Sequence, residues 1–98
     1  MIVNILACAE QEFIEAVDYY NTQCLGLGYE FAAEVTNTLE RISTFPEAWP
    51  QISKRTRRCI TNKFPFGVIY QIRDKSILVV AIMHMKRNPL HWQNRKVE

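Results

Sequence analysis

Glycine and proline are scarce in this 98-residue chain, with three and four residues respectively. That scarcity excludes a flexible linker, a proline-rich spacer or a disordered tail, and no internal repeat or low-complexity tract is visible. Long apolar runs are missing too. Ile77 to Met83 is the longest, far short of the ~20 residues that cross a bilayer. The opening residues, Met1 to Glu10, lack the basic region of a secretory signal and read as mature sequence of a cytoplasmic protein. The cysteines Cys8, Cys24 and Cys59 are odd in number and widely spaced, with no CxxC pair. Neither a disulfide frame nor a zinc site is expected, and the three read as buried reduced thiols. His84 and His91 lack a neighbouring cysteine or carboxylate and make a poor metal-ligand set. No glycine-rich phosphate loop exists, so no nucleotide cofactor is expected.

Each half of the chain also lacks one sign of charge. Residues 1–50 carry eight acids (Glu10, Glu12, Glu15, Asp18, Glu30, Glu34, Glu40, Glu47) against one base, Arg41, a net of −7. Residues 51–98 carry eleven bases against Asp74 and Glu98, a net of +9. The formal net of +2 conceals this polarity. Two oppositely charged halves in one short chain imply two surfaces with different partners, the basic one suited to a polyanion or to an acidic protein.

What is present is ample core material: 48% of residues are hydrophobic, enough for a single domain, residues 1–98, without covalent staples. Ile2 to Leu6, rich in β-branched residues, predicts a first strand. From Glu10 to Cys24, apolar residues at Phe13, Ala16, Val17, Tyr20 and Cys24 follow helical spacing, with Glu12, Glu15 and Asp18 on the wet side. Gly26 is placed to cap the C-terminus of this helix, and Gly26-Leu27-Gly28 to make a tight reversal. A second stripe at Phe31, Val35, Leu39 and Ile42 ends before Pro46, so the two helices form an antiparallel hairpin. Phe45 to Pro50 is a rigid loop whose aromatics can anchor it. Three strands follow: Thr56 to Asn62, Phe66 to Arg73, and Ile77 to Met85, the last two joined by the turn Arg73-Asp74-Lys75-Ser76. The last strand is apolar almost throughout, so it should be central and covered on both faces. One helical hairpin covers only one face. The other requires the C-terminal segment (Leu90, Trp92), a second copy in a homodimer, or a partner. The fold class is therefore α+β: a helical hairpin on one face of a small antiparallel sheet, in the order β-α-α-β-β-β, with a short helix or tail beginning at Pro89.

The order and spacing of several local segments resemble the RelE/ParE superfamily of toxins from bacterial type II toxin–antitoxin, or plasmid-stabilisation, modules. The segments are Glu15-Ala16-Val17-Asp18-Tyr19-Tyr20, Gly26-Leu27-Gly28-Tyr29-Glu30-Phe31, Ile42-Ser43-Thr44-Phe45-Pro46 and Arg57-Arg58. Phe64-Pro65-Phe66-Gly67-Val68-Ile69-Tyr70 and His84-Met85-Lys86-Arg87-Asn88-Pro89, followed by Trp92 and Arg95, complete the set. The resemblance covers nearly the whole chain and implies the same fold. It also implies a growth-arresting toxin neutralised by a cognate antitoxin, with no membrane partner. RelE-like members cut mRNA in the ribosomal A site, whereas ParE-like members inhibit DNA gyrase. A third outcome is a toxin-fold protein that has lost toxicity and only binds its antitoxin.

Metal-independent ribonuclease chemistry needs proton-transfer groups and a cation for the scissile phosphate. His84, Arg58 and Arg87 are the candidates, with His91, Arg57 and Arg73 as further histidine and arginine choices. Each has a plainer reading. His84 can hydrogen-bond the C-terminal turn, Arg57 and Arg58 can contact an antitoxin, and Trp92 can cover the sheet. Lys54, Lys63, Lys75 and Lys96 read as solvated charges. Ribonuclease members of the family commonly carry an arginine just before the apolar-apolar-Tyr run of the third strand, where this chain has Gly67. The base-stacking C-terminal tyrosine also has no clear equivalent, so His91 or Trp92 would have to serve. The pattern is closer to ParE-like members, with Arg57, Arg58, Arg73, His84, Arg87, Trp92 and Arg95 as the expected target-binding residues.

Overall fold

The computed structural model describes residues 1–87. The expected Pro89 helix or tail, with Leu90, His91, Trp92 and Arg95, lies outside the described residues. Six elements run in the order β1 (Ile2–Ile5), α1 (Ala7–Gln23), α2 (Leu27–Thr44), β2 (Thr56–Ile60), β3 (Phe66–Ile72) and β4 (Ser76–His84).

The helical hairpin forms where the apolar stripes predict it. Phe31, Val35 and Ile42 of α2 are buried, and Phe13, Val17 and Tyr20 of α1 pack on the same core. Gly26 adopts the left-handed conformation (φ 90°) and begins α2, while Cys24 closes α1 by donating its backbone N–H to the Tyr20 carbonyl. The two helices come closest at Gly28. A β-carbon there would run into the Val17 carbonyl and the Asn21 amide, and the Gly28 N–H donates to Asn21 Oδ1 at 2.8 Å. Rings from both layers fill the space beneath the hairpin. Tyr20 and Phe31 lie within 4.8–6.1 Å of Phe64 and Phe66, centroid to centroid.

The sheet order is β1-β4-β3-β2. β2, β3 and β4 pair antiparallel as expected, and β4 is central. The sheet is mixed rather than fully antiparallel, because β1 pairs parallel with β4 from Ile2↔Ser76 to Ile5↔Val79. Strand direction is decided by where the long 45–55 connection re-enters the sheet, and no local pattern carries that information. That connection is well held. Trp49 packs on the core with the Arg41 guanidinium 5.6 Å from its ring centre, whereas Phe45 is exposed.

The cysteine expectation needs correction. Cys59 is buried, and burial raises its thiol pKa, an effect the positive charge of Arg41 opposes. Cys8 and Cys24 are exposed, because Cys8 falls on the outer face of α1's first turn and Cys24 leaves the helix at its cap. Among the described residues no helix is long and apolar enough to cross a membrane.

Candidate functional site

Facing side chains alternate along β3. Phe66, Val68 and Tyr70 point to the helices, and Gly67, Ile69 and Gln71 to the opposite face. The alternation on β4 is broken by a bulge. Ile69 pairs with Ala81 but Tyr70 pairs with Val79, leaving Val80 as an extra residue. Ile77 and Val79 therefore face the helices before the bulge, and Ile82 and His84 do so after it. Strict alternation from Ile77 would have turned His84 to the other face.

The bulge delivers His84 to a cleft of about 330 Å³ at the junction of α1 with the end of β4. Glu12, Glu15, Tyr19, Tyr20, Phe66 and Arg87 also line it. Its best-held member is Glu12, which is mostly buried. β1 stops pairing with β4 at Val79, and among the described residues no strand borders that edge of β4 further along. Glu12 Oε1 accepts the Ile82 N–H there at 3.1 Å, and Glu12 Oε2 lies 3.7 Å from Arg87 Nη1. A carboxylate from α1 thus completes the hydrogen bonding of a sheet edge. Periodicity put Glu12 on the wet face of the helix and gave no sign of this role.

His84 Nδ1 accepts the Lys86 N–H at 3.0 Å, and its ring meets Phe66 edge-on with centroids 5.4 Å apart. With Nδ1 accepting, the neutral ring carries its proton on Nε2. Of the tyrosines, Tyr19 is exposed and Tyr20 belongs to the aromatic core. Burial chiefly, and the neighbouring Tyr19 secondarily, raise the pKa of Tyr20.

Arg58 does not join this group. It pairs with Ile69, on the face away from the helices, and its stem crosses Gly67, with Cγ and Cδ 3.0 Å from where a β-carbon would stand. The three residues named for nuclease chemistry are therefore divided: His84 and Arg87 share the helix-side cleft, and Arg58 lies on the opposite face. That face has its own apolar cluster of Ile69, Val80, Ala81 and Met83, flanked by Leu6, Ile52 and Leu78.

Arg57 is turned to an internal task. Its Nη1 donates to the carbonyls of Glu47 (3.0 Å) and Trp49 (2.7 Å), clamping the 45–50 loop to β2. A second tie is the Tyr70 hydroxyl, which donates to the Pro46 carbonyl at 2.6 Å. Burial drives the Tyr70 pKa up to about 12 against the opposing charge of Arg57. Arg73 sits at the far end of β3, where its Nη2 donates to Gln71 Oε1 at 2.8 Å. The remaining target-binding candidates, Trp92 and Arg95, lie outside the described residues.

A helical hairpin over one face of a four-stranded mixed sheet is the architecture of the small RelE/ParE-like toxin folds. The family described as the ParE toxin of the type II toxin–antitoxin system, parDE, matches residues 3–89, and this chain belongs to it. The solved structure of a chromosomal ParDE toxin–antitoxin system from P. aeruginosa has a similar fold. Its TM-score is 0.76 at 12% sequence identity, covering 86% of this chain and 95% of that one. No curated protein sequence matches this chain. The protein is thus a ParE-like toxin of a type II toxin–antitoxin system.

Proposed function

We propose that this toxin arrests growth by binding and inhibiting DNA gyrase, and that a cognate antitoxin neutralises it. The family match across residues 3–89 is the observation that carries the reading. The division of the nuclease candidates supports it, since Arg58 and His84 stand on opposite faces and Gly67 brings no side chain to the sheet. Exposed Arg87, with its side chain 53% accessible, and Arg95 are the cations expected to contact the target. The antitoxin should be a small protein that wraps the toxin, setting acids against the basic half and apolar anchors against the sheet.

The test is a supercoiling assay with purified gyrase and the full chain, with and without antitoxin. Inhibition that antitoxin relieves is expected, and it should vanish in the Arg87→Ala/Arg95→Ala variant while antitoxin binding persists. Undiminished supercoiling at a large excess of toxin would overturn the reading.

One observation favours a second reading, ribosome-dependent cleavage of mRNA. His84, Glu12, Glu15 and Arg87 bring an imidazole, two carboxylates and a guanidinium to a single cleft. Under it, expression of the chain alone produces new, codon-phased mRNA 5′ ends that disappear when translation is blocked. His84→Ala abolishes those ends while ribosome binding remains. Growth arrest with intact mRNA excludes it.

A further inference from the structure

β4 ends at His84, and the chain then turns so that the Arg87 N–H donates to the His84 carbonyl at 3.0 Å. The His84 side chain closes the same turn, its Nδ1 accepting the Lys86 N–H at 3.0 Å. Just before it, the Met85 N–H donates to the Pro65 carbonyl at 2.8 Å, which ties the start of the turn to the loop ahead of β3. Successive N–H groups at Met85, Lys86 and Arg87 thus have acceptors, and His84 supplies the last two. What the turn carries is Arg87, whose guanidinium reaches back to within 3.7 Å of Glu12 Oε2.

The ring that closes the turn is itself held. Phe66 meets it edge-on, and the bulge in β4 sets it on the helix side of the sheet. An imidazole nitrogen accepts a hydrogen bond only while it carries no proton. A proton on Nδ1 would set N–H against N–H and end the contact with Lys86. Histidine is also the side chain whose charge changes between about pH 5 and 8.

The charged groups around the ring pull in both directions. Among the described residues, α1 brings Glu12, Glu15, Tyr19 and Tyr20 to the cleft, and the turn brings Lys86 and Arg87. The carboxylates attract an imidazolium and the two cations repel it.

We infer that His84 is a positioning residue, whose neutral imidazole closes the turn that presents Arg87 to the target and whose protonated form releases it. Once parted from Lys86, the imidazolium competes with Arg87 for the Glu12 carboxylate, so charge and hydrogen bonding favour the same rearrangement. The turn follows from geometry alone, whereas its effect on the target rests on the proposed inhibition of gyrase. One measurement without gyrase and one with it keep the two apart.

The first is heteronuclear NMR of the full chain, made by cell-free synthesis and titrated between about pH 5.5 and 8. At the alkaline end His84 should show the tautomer protonated on Nε2. The Lys86 amide proton should move upfield on acidification, with the same midpoint as the His84 ring. In His84→Asn that resonance should hold still, because asparagine Oδ1 stands near the place of Nδ1 and accepts without titrating. An Nδ1-protonated ring at the alkaline end would overturn the inference. So would a Lys86 amide that moves as far in the asparagine variant as in the native chain.

The second is inhibition of gyrase supercoiling at about pH 6 and 8, each protein being compared with itself across the two. On acidification the native chain should lose about three- to tenfold more potency than His84→Asn, the worth of one hydrogen bond. His84→Leu, of similar bulk but with no acceptor, should inhibit less than His84→Asn at both pH values. Equal acid losses in the native and asparagine proteins would refute the positioning role, as would a leucine variant as potent as the asparagine one. If the leucine variant melts early, the comparison of native with asparagine decides alone. A native chain that inhibits at neither pH refutes the gyrase reading, and the NMR result then decides the turn by itself.

Discussion

The stem of Arg58 occupies the space above Gly67, its Cγ and Cδ 3.0 Å from where a β-carbon at position 67 would be. A side chain at position 67 would therefore require the Arg58 stem to give way by a few tenths of an ångström. Met85 Sδ, 3.7 Å from the same point, closes the remaining side. The side chain missing at position 67 is thus compensated sterically by a diagonal neighbour on β2.

That contact predicts coupling between the two positions. Gly67→Ala should be neutral or slightly destabilising in the native background, because Arg58 must shift aside. In an Arg58→Ala background the same change should stabilise, by about 0.5–1 kcal/mol, since the new methyl fills vacated space and glycine is a poor strand residue. Urea midpoints for the four proteins of this cycle test it, and additive effects would refute the packing argument.

The Tyr70 hydroxyl predicts a loss of stability in alkali. The Tyr70 pKa rises from 10.0 to about 12 on folding, so the unfolded chain releases this proton at lower pH than the native one. The stabilisation is complete below pH 10 and is lost as pH rises toward 12. Tyr20 and Cys59, both raised by burial, add losses of the same sign, with Cys59's starting from 9.0. Tyr70→Phe should flatten the decline above pH 10. At neutral pH it should cost about 1–2 kcal/mol, because the Pro46 carbonyl loses its donor. Denaturation midpoints at pH 8, 10 and 11 provide the comparison.

The bond from the Ile82 amide to Glu12 predicts a difference between two substitutions. Glu12→Ala strands a backbone N–H at the end of β4 and should cost about 1–3 kcal/mol. Glu12→Gln keeps an oxygen acceptor and should cost less than half as much, since the 3.7 Å contact with exposed Arg87 contributes little. Amide exchange at Ile82 should accelerate in the alanine variant only.

Gly26 and Gly28 stand two residues apart but should fail for different reasons. Gly28→Ala drives a methyl into the Val17 carbonyl and should cost about 2–3 kcal/mol by separating the helices. Gly26→Ala meets no neighbour and pays only for its left-handed backbone, about 1–2 kcal/mol, most of which Gly26→Asn should recover. Thermal melts of the three variants rank them directly.

Much of the architecture is legible along the chain because it depends on near neighbours. Phe31, Val35 and Ile42 recur at helical spacing whatever they pack against. Gly26 marks the reversal, and the continuous apolar stretch from Ile77 to Met83 identifies a strand buried in the middle of a sheet. The family signature is legible for the same reason, being carried by short ordered segments such as Phe64 to Tyr70. The polarity of charge between the two halves also needs no coordinates.

Other features depend on partners distant in sequence, and only the folded molecule decides them. β1 lies parallel to β4 because of where the 45–55 connection returns, across a gap no periodicity spans. The bulge at Val80 reverses which face receives His84, and a run of apolar residues on both faces hides it from pattern reading. Glu12 serves a strand edge 70 residues away, and Arg57 was named as a target contact although most of its visible hydrogen bonding is spent on the loop before β2. Periodicity along the chain specifies elements and the faces they bury. Which face a catalytic or binding group finally occupies is settled by register and by long-range hydrogen bonds, and these form only when the sheet closes.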